Sequence, residues 1–356
     1  MKKLINDPND FIEESLEGFA LAHPHLAFSE MPRYITRKAV ENDKVAIVSG
    51  GGSGHEPLHL GYVGHGMLDG ACPGEVFSAP TPDQIYECAK AVNAGKGILF
   101  VVKNYTGDVL SFETAVELLH AEGIPVVNVL VDDDVSQEHN SHIVIGRRGM
   151  GTTIVVEKIL GAAARKGSGL DQLVDLAHQI VSNGWSVGLA LTSCTVPHKG
   201  SPTFELGDNQ VEVGIGIHGE RGQRAIDHKP ADELVEMLAA RIFDSETYTR
   251  RVREWNRNIG AWVEVELVNQ NLKDGDRVIA IVNGMGGTPQ SELYVVYRKL
   301  AQLCQEKGIL IERNLVGSYI TSLDMQGCSI TMVRVNDHLL ELWDAPVNTT
   351  ILRWGM

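Results

Sequence analysis

The sequence has no long apolar run: stretches such as 97–102 have the length of a strand and fall far short of the roughly twenty residues that cross a bilayer. Its opening, MKKLINDPND, lacks the apolar core of a signal peptide. The five cysteines are an odd number without a CxxC pair, which fits neither a disulfide framework nor a structural zinc site. We therefore expect a cytoplasmic protein with reduced thiols and no membrane contact.

The sequence also lacks the features of a nucleic-acid or nucleotide binder. The formal net charge is −15 and no basic stripe is present, so the chain would repel a phosphate backbone. No Walker A motif, no protein-kinase HRD or DFG signature and no basic cluster suited to a triphosphate occurs. We expect no direct nucleic-acid partner, and no cofactor bound by this chain.

What is present is an alternation of β-rich and helical segments over 356 residues, enough for two domains. Strands are predicted at 44–50, 97–102 and 125–131, with helices at 83–94 and 111–122 between them. A further helix is predicted at 170–182, and strands follow at 185–191, 211–217, 277–283 and 329–335. The prediction is two α/β domains, 1–183 and 184–356, each a mainly parallel or mixed sheet flanked by helices.

Glycine-rich and polar loops follow three of these strands, where α/β sheets collect ligands. The first is GGGSGHEP at 50–57, in which glycines allow close backbone approach and His55 offers a polar ring. The second is KNYTGD at 103–108, where Asp108 is either a base or a helix cap. The third is GIGIHGE at 214–220, in which His218 is predicted to end an apolar strand, within reach of a small molecule.

Two charged motifs have no clear assignment from the sequence. The run Asp132-Asp133-Asp134 has the ligand type of a Mg²⁺ site, but adjacent side chains point in different directions, so we predict no metal. Arg147 and Arg148 could face phosphates on a partner or form structural ion pairs.

Taken together, the motifs resemble the K subunit of the dihydroxyacetone kinases. The matching segments run nearly end to end and include GGGSGHEP, ACPGEVF, KNYTGD, the three aspartates, GRRG, TVP, GIGIHGE, SELY and TSLDM. The start MKKLIND and the late segment LWDAPV bring the resemblance close to the bacterial subunit type.

The resemblance implies a homodimer and a set of site residues. In such a subunit His218 would bind the carbonyl of dihydroxyacetone as a hemiaminal, with Asp108 and His55 as the other catalytic residues. The implied substrate-binding residues are Gly52, Ser53, His55, Lys103, Asp108 and His218.

The resemblance also implies partners. ADP or ATP with Mg²⁺ would lie on a separate L-type subunit, which a phosphotransferase-system protein recharges from phosphoenolpyruvate. The implied activity is that of the substrate-binding subunit of a phosphotransferase, in glycerol metabolism, with free ATP as an alternative phosphoryl source.

Two other interpretations stay open. One is a regulatory subunit that senses dihydroxyacetone and controls a transcription regulator. Retention of Asp108, His55 and His218 together favours the enzyme, because sensing does not need a positioned base. The other is a fatty-acid carrier on a similar scaffold, against which the polar glycine and histidine loops argue.

Overall fold

The computed structural model describes residues 2–137 and 146–356, and contains two six-stranded sheets flanked by helices. Within these ranges none of the helices combines the length and the apolar character needed to span a bilayer. The predicted mixed α/β fold class is confirmed.

The first sheet has the strand order β1-β2-β4-β3-β5-β6, in which β4, β3, β5 and β6 run parallel and β1 and β2 form an antiparallel edge. Its strands are β1 (Leu26–Glu30), β2 (Arg33–Arg37), β3 (Ala46–Ser53), β4 (Gly70–Val76), β5 (Ile98–Lys103) and β6 (Val126–Val131). The helices of this part are α1 (Phe11–Ala22), α2 (Pro82–Val92), α3 (Thr106–Ala121), α4 (Thr152–Arg165) and α5 (Leu170–Val181).

The helix predicted at 83–94 is α2, and its apolar stripe is buried as the spacing indicated. Thr81 and Gln84 form a capping box, and Pro82 occupies the first turn, where its missing N–H costs nothing. Local capping and one-sided burial therefore define this helix.

The second sheet has the order β13-β12-β14-β7-β8-β9. It is mixed but mostly antiparallel, since only β12 and β13 pair in parallel. Its strands are β7 (Gly184–Ala190), β8 (Gln210–Val213), β9 (Arg224–Asp227), β12 (Arg277–Gly284), β13 (Leu310–Gly317) and β14 (Gly327–Arg334). Two small hairpins are β10 (Tyr248–Asn256) with β11 (Ala261–Asn269), and β15 (Val347–Asn348) with β16 (Arg353–Trp354). The helices are α6 (Ala231–Phe243), α7 (Gln290–Glu306) and α8 (Asp337–Asp344).

Helix α4 lies between the two sheets and contacts strands of both. All residues from Thr152 to Ala164 are buried and most of them are apolar, as expected for a helix inside a core. Gly161 sits where any side chain would collide with the backbone of Met67. The division into domains at residue 184 stays a prediction, although the strands of the second sheet all begin at or after that residue.

Candidate functional site

The loop that carries His218 is built differently from the sequence prediction. Strand β8 ends at Val213, so the prediction that His218 ends a strand is wrong. Gly214 has φ +78° and Gly219 has φ +67°, a backbone region that side chains disfavour, and these two residues make 214–220 a loop. His218 thereby leaves the sheet and projects towards the first half of the chain.

Three aromatic rings enclose His218. Its ring centroid lies 4.1 Å from that of Tyr105, 4.6 Å from that of His55 and 5.6 Å from that of Phe77, each in an edge-on arrangement. Burial lowers the pKa of His218 to about 3, and the positive charges of Lys103 and Arg148 act in the same direction. His218 is nevertheless partly exposed, so the structure presents a neutral imidazole that a small molecule can reach.

His55 has one ring nitrogen engaged and one free. Its Nδ1 lies 2.9 Å from the carbonyl oxygen of Thr321, which can only accept, so Nδ1 carries the proton. Burial, followed by the charges of His218 and Lys103, holds the pKa of His55 well below its usual value. Within the described ranges Nε2 is buried and has no hydrogen-bond partner. It therefore offers a lone pair to a ligand.

The glycine-rich segment before His55 belongs to strand β3, which runs to Ser53, so the prediction that these glycines form a loop after the strand is wrong. A Cβ on Gly52 would lie 2.6 Å from the amide nitrogen of Ser78, which shows how closely the chain at 77–78 approaches. The Ser53 hydroxyl donates to the carbonyl of Gly74 at 2.7 Å. Phe77 stacks on His55, with centroids 5.1 Å apart, from a left-handed backbone conformation (φ +57°) that is unfavourable for a bulky residue.

The TSLDM segment of the second half holds this region in place. Leu323 N donates to the Gly54 carbonyl at 2.9 Å, and Thr321 N donates to the His55 carbonyl at 3.2 Å. The Thr321 hydroxyl donates to the Glu56 carbonyl at 2.8 Å. His55 is therefore fixed by contacts between two distant parts of the chain.

Asp108 and Lys103 form a buried ion pair next to His55 and His218. Helix α3 begins at Thr106, not near Ser111 as predicted, which places Asp108 in its first turn, where the helix dipole favours a carboxylate. Lys103 ends β5, and its Nζ lies 3.4 Å from Oδ2 of Asp108. Burial raises the pKa of Asp108, and the ammonium of Lys103 opposes that shift. The predicted site residues thus lie together, while their roles stay predictions.

The three aspartates that follow β6 have separate structural partners. Asp132 pairs with Arg250, and Asp133 accepts from the amides of Met150 and Thr152 at 2.6 and 2.8 Å, at the start of α4. Asp134 accepts from Nε of Arg148 at 2.7 Å. Each of the three carboxylates therefore has its own structural partner.

Arg148 extends from Asp134 to the loop of His218. Its guanidinium donates to the carbonyl of Gly214 at 2.7 Å and to Oε1 of Glu220 at 2.8 Å. Oε2 of Glu220 in turn accepts from the amide of His218 at 2.8 Å. Arg148 is therefore engaged in a structural ion pair, and the neighbouring Arg147 lies 3.9 Å from the ring centroid of Tyr248.

Sequence reasoning missed several residues of this site. Phe77 lies in the motif ACPGEVF and Tyr105 in KNYTGD, but no sequence periodicity indicates that their rings face His218. His59 contacts Lys103 and Glu157, and Glu157 lies in an apolar helix that the sequence analysis did not identify. The adjacent Glu157 and Lys158 within a mostly apolar helical stretch are a sequence signal for buried polar contacts.

The fold and the site define a two-sheet α/β protein with a neutral, ring-enclosed histidine facing a buried lysine and aspartate pair. The Dak1 domain matches residues 17–351, and the chain belongs to that family. The resemblance read from the motifs is thereby confirmed. The chain is 51% identical, over the full length of both, to the dihydroxyacetone-binding subunit of the PEP-dependent dihydroxyacetone kinase of Escherichia coli (strain K12).

Two solved structures are similar in fold and sequence. The dihydroxyacetone kinase of C. freundii in complex with AMP-PNP and Mg²⁺ has a TM-score of 0.85 and 30% identity, and the match covers 99% of this chain and 61% of that one. A dihydroxyacetone kinase operon co-activator has a TM-score of 0.83 and 31% identity, over 95% of this chain and 97% of that one.

Proposed function

We propose that the chain binds dihydroxyacetone as a hemiaminal on His218 and presents its terminal hydroxyl for phosphorylation to dihydroxyacetone phosphate. The observation that carries the proposal is the neutral imidazole of His218, enclosed by rings yet partly exposed. A neutral ring nitrogen is a nucleophile, whereas a protonated one is not.

Adduct formation is an addition without a leaving group. The C–N bond forms between a ring nitrogen of His218 and the ketone carbon, and the carbonyl π bond breaks. The imidazole N–H proton moves to the former carbonyl oxygen through His55 Nε2; the unpartnered state of this nitrogen and the 4.6 Å between the two ring centroids support this role. Glycerol has no carbonyl and cannot form this bond, so the adduct discriminates between ketone and alcohol.

Asp108 is the base for the phosphoryl step. As the terminal hydroxyl attacks the phosphoryl group, Asp108 takes its proton, and Lys103 at 3.4 Å supports the ionised carboxylate before transfer. The Gly52 and Ser53 region together with His55 contacts the remaining hydroxyls. Asp108, His55 and His218 are the catalytic residues of this proposal.

The phosphoryl donor is bound by a partner subunit. The C. freundii kinase was solved with AMP-PNP and Mg²⁺, and 39% of that chain lies outside the match, which supports a separate nucleotide-carrying, L-type subunit. The name of the E. coli relative supports phosphoenolpyruvate as the ultimate source. We place the reaction in the cytoplasm and expect a homodimer, the commonest closed assembly.

Reconstitution tests the division of labour. The purified chain with ATP should form no dihydroxyacetone phosphate, and addition of an L-type subunit charged with nucleotide and Mg²⁺ should start turnover. Substantial turnover by the chain alone would refute the need for a partner. Glycerol in place of dihydroxyacetone is the matched control and should give no product.

A second candidate, a dihydroxyacetone-sensing regulator, is favoured by the similarity to the operon co-activator. Sensing requires His218 but no base, so Asp108→Asn would preserve a regulatory response while lowering phosphorylation about a hundredfold or more. The two roles are compatible in one subunit.

A further inference from the structure

Two buried ionisable residues lie behind the proposed site without a role in the chemistry above. His59 precedes a short helical turn at 60–62, and Glu157 projects from α4. Glu157 has no exposed surface and His59 has 5%. Burying such groups in an apolar core costs free energy unless they are well partnered.

Together with Lys103 they form a continuous chain that ends at Asp108. Oε1 of Glu157 lies 2.6 Å from Nδ1 of His59, and Nε2 of His59 lies 2.9 Å from Nζ of Lys103. Lys103 then reaches Oδ2 of Asp108 at 3.4 Å. The chain thus connects the core helix between the sheets with the first turn of α3.

The hydrogen-bonding capacities of these groups fix the proton positions. An ammonium can only donate, so Nε2 of His59 is the acceptor and the ring proton lies on Nδ1. That proton is donated to Oε1 of Glu157, whose pKa burial raises to about 8, and this oxygen can accept it whether the carboxyl group is ionised or protonated. A carboxyl group that sets the tautomer of a histidine, and so the function of its other nitrogen, recurs behind metal sites and catalytic groups.

We propose, on the basis of the function proposed above, that His59 and Glu157 are positioning residues that hold the Lys103 ammonium beside Asp108 and so keep that carboxylate ionised. Among the residues that the structure describes, Lys103 contacts Asp108 and His59 and donates to the carbonyl of Gly50 at 3.3 Å. Without the acceptor nitrogen of His59, the flexible side chain of Lys103 would no longer be held in the position that places its ammonium beside Asp108.

The electrostatics of the surrounding elements agree with this assignment. Burial raises the pKa of Asp108, and Lys103 is the charged group that lowers it again. His55, from the segment after β3, and His218, from the loop after β8, face Lys103 as neutral rings, since both pKa values are lowered. Tyr62 faces Glu157, and burial raises the pKa of both.

The experiment measures kcat against pH for the full chain reconstituted with its nucleotide-carrying partner. His59→Leu removes the acceptor, so kcat at neutral pH should fall about tenfold or more, and the acid limb of the profile should move up by about one pH unit as Asp108 loses its cation. His59→Gln, whose Oε1 can accept from Lys103, should recover most of both losses. His59→Asn is too short to reach Lys103 and should behave like His59→Leu.

Lys158→Met is the matched control. Lys158 is the next residue on α4 and is also buried, but it donates to the Leu342 carbonyl at 2.9 Å, away from this chain of contacts. Its replacement should alter the stability of α4 without moving the acid limb.

A second measurement separates this inference from the proposed function. NMR titration of the Asp108 carboxyl in the unliganded protein needs neither substrate nor partner, and should give a higher pKa in His59→Asn and His59→Leu than in wild type. An unchanged Asp108 titration would overturn the positioning role, and so would a Gln variant that is no better than the Leu variant. Absence of turnover by the wild type would count against the proposed function instead.

Discussion

Replacing His218 by Asn should make the protein less sensitive to acid. The folded pKa of His218 is about 3, whereas an unperturbed histidine titrates near about 6.5. Between these values the unfolded chain binds a proton that the folded chain excludes, so stability falls as the pH falls from about 6.5 towards 3. His218→Asn removes this contribution.

The magnitude follows from the difference between the two pKa values. At about pH 5 the unfolded histidine is protonated and the folded one is not, which corresponds to about 2 kcal/mol. Because His218 is partly exposed, screening by solvent reduces this to about 1–2 kcal/mol.

Urea denaturation at about pH 7 and about pH 5 provides the assay. The loss of unfolding free energy between the two pH values should be about 1–2 kcal/mol smaller in His218→Asn than in wild type. His228→Asn, at an exposed position, is the matched control. If the His218 variant lost as much stability on acidification as the wild type, the ring would not be held neutral, and the case for a nucleophilic imidazole would fail.

Three further substitutions test the other parts of the site. Asp108→Asn should leave dihydroxyacetone bound while kcat falls about a hundredfold or more, and unchanged turnover would reassign Asp108 to a helix cap. Gly52→Ala should raise KM about tenfold, because its Cβ would collide with the Ser78 amide and displace Phe77 from His55. A KM equal to that of the wild type would show that the chain at 77–78 can move without affecting substrate binding. Glu220→Ala should raise KM more than it lowers kcat, because the His218 amide loses its acceptor, and an equal effect on both constants would contradict a role in placing His218.

The sequence was informative wherever local chemistry decides the structure. The spacing of its apolar residues predicted α2, and the rule that ligands collect after parallel strands predicted His55 and Asp108 as site residues. Both residues do follow parallel strands of the first sheet, and the structure places them near His218. The motifs also sufficed to recognise the family.

What the sequence did not predict depends on contacts between distant segments. Apolar alternation continues through Ile215 and Ile217, which suggested a longer β8, but the turn at Gly214 and the bond from Arg148 to its carbonyl end the strand early. The rings around His218 come from three separate segments of the chain. Their meeting is a property of the packed sheets and cannot be read from spacing.

The most direct test of the central claim is the ¹³C NMR spectrum of dihydroxyacetone labelled at its carbonyl carbon and bound to the protein. In the wild type, the bound carbon should resonate in the tetrahedral range, with protein-like linewidth and one equivalent per chain. The same signal should be absent from His218→Ala. A bound ligand that keeps its carbonyl resonance in the wild type, or a tetrahedral adduct that persists in His218→Ala, would contradict covalent binding at His218.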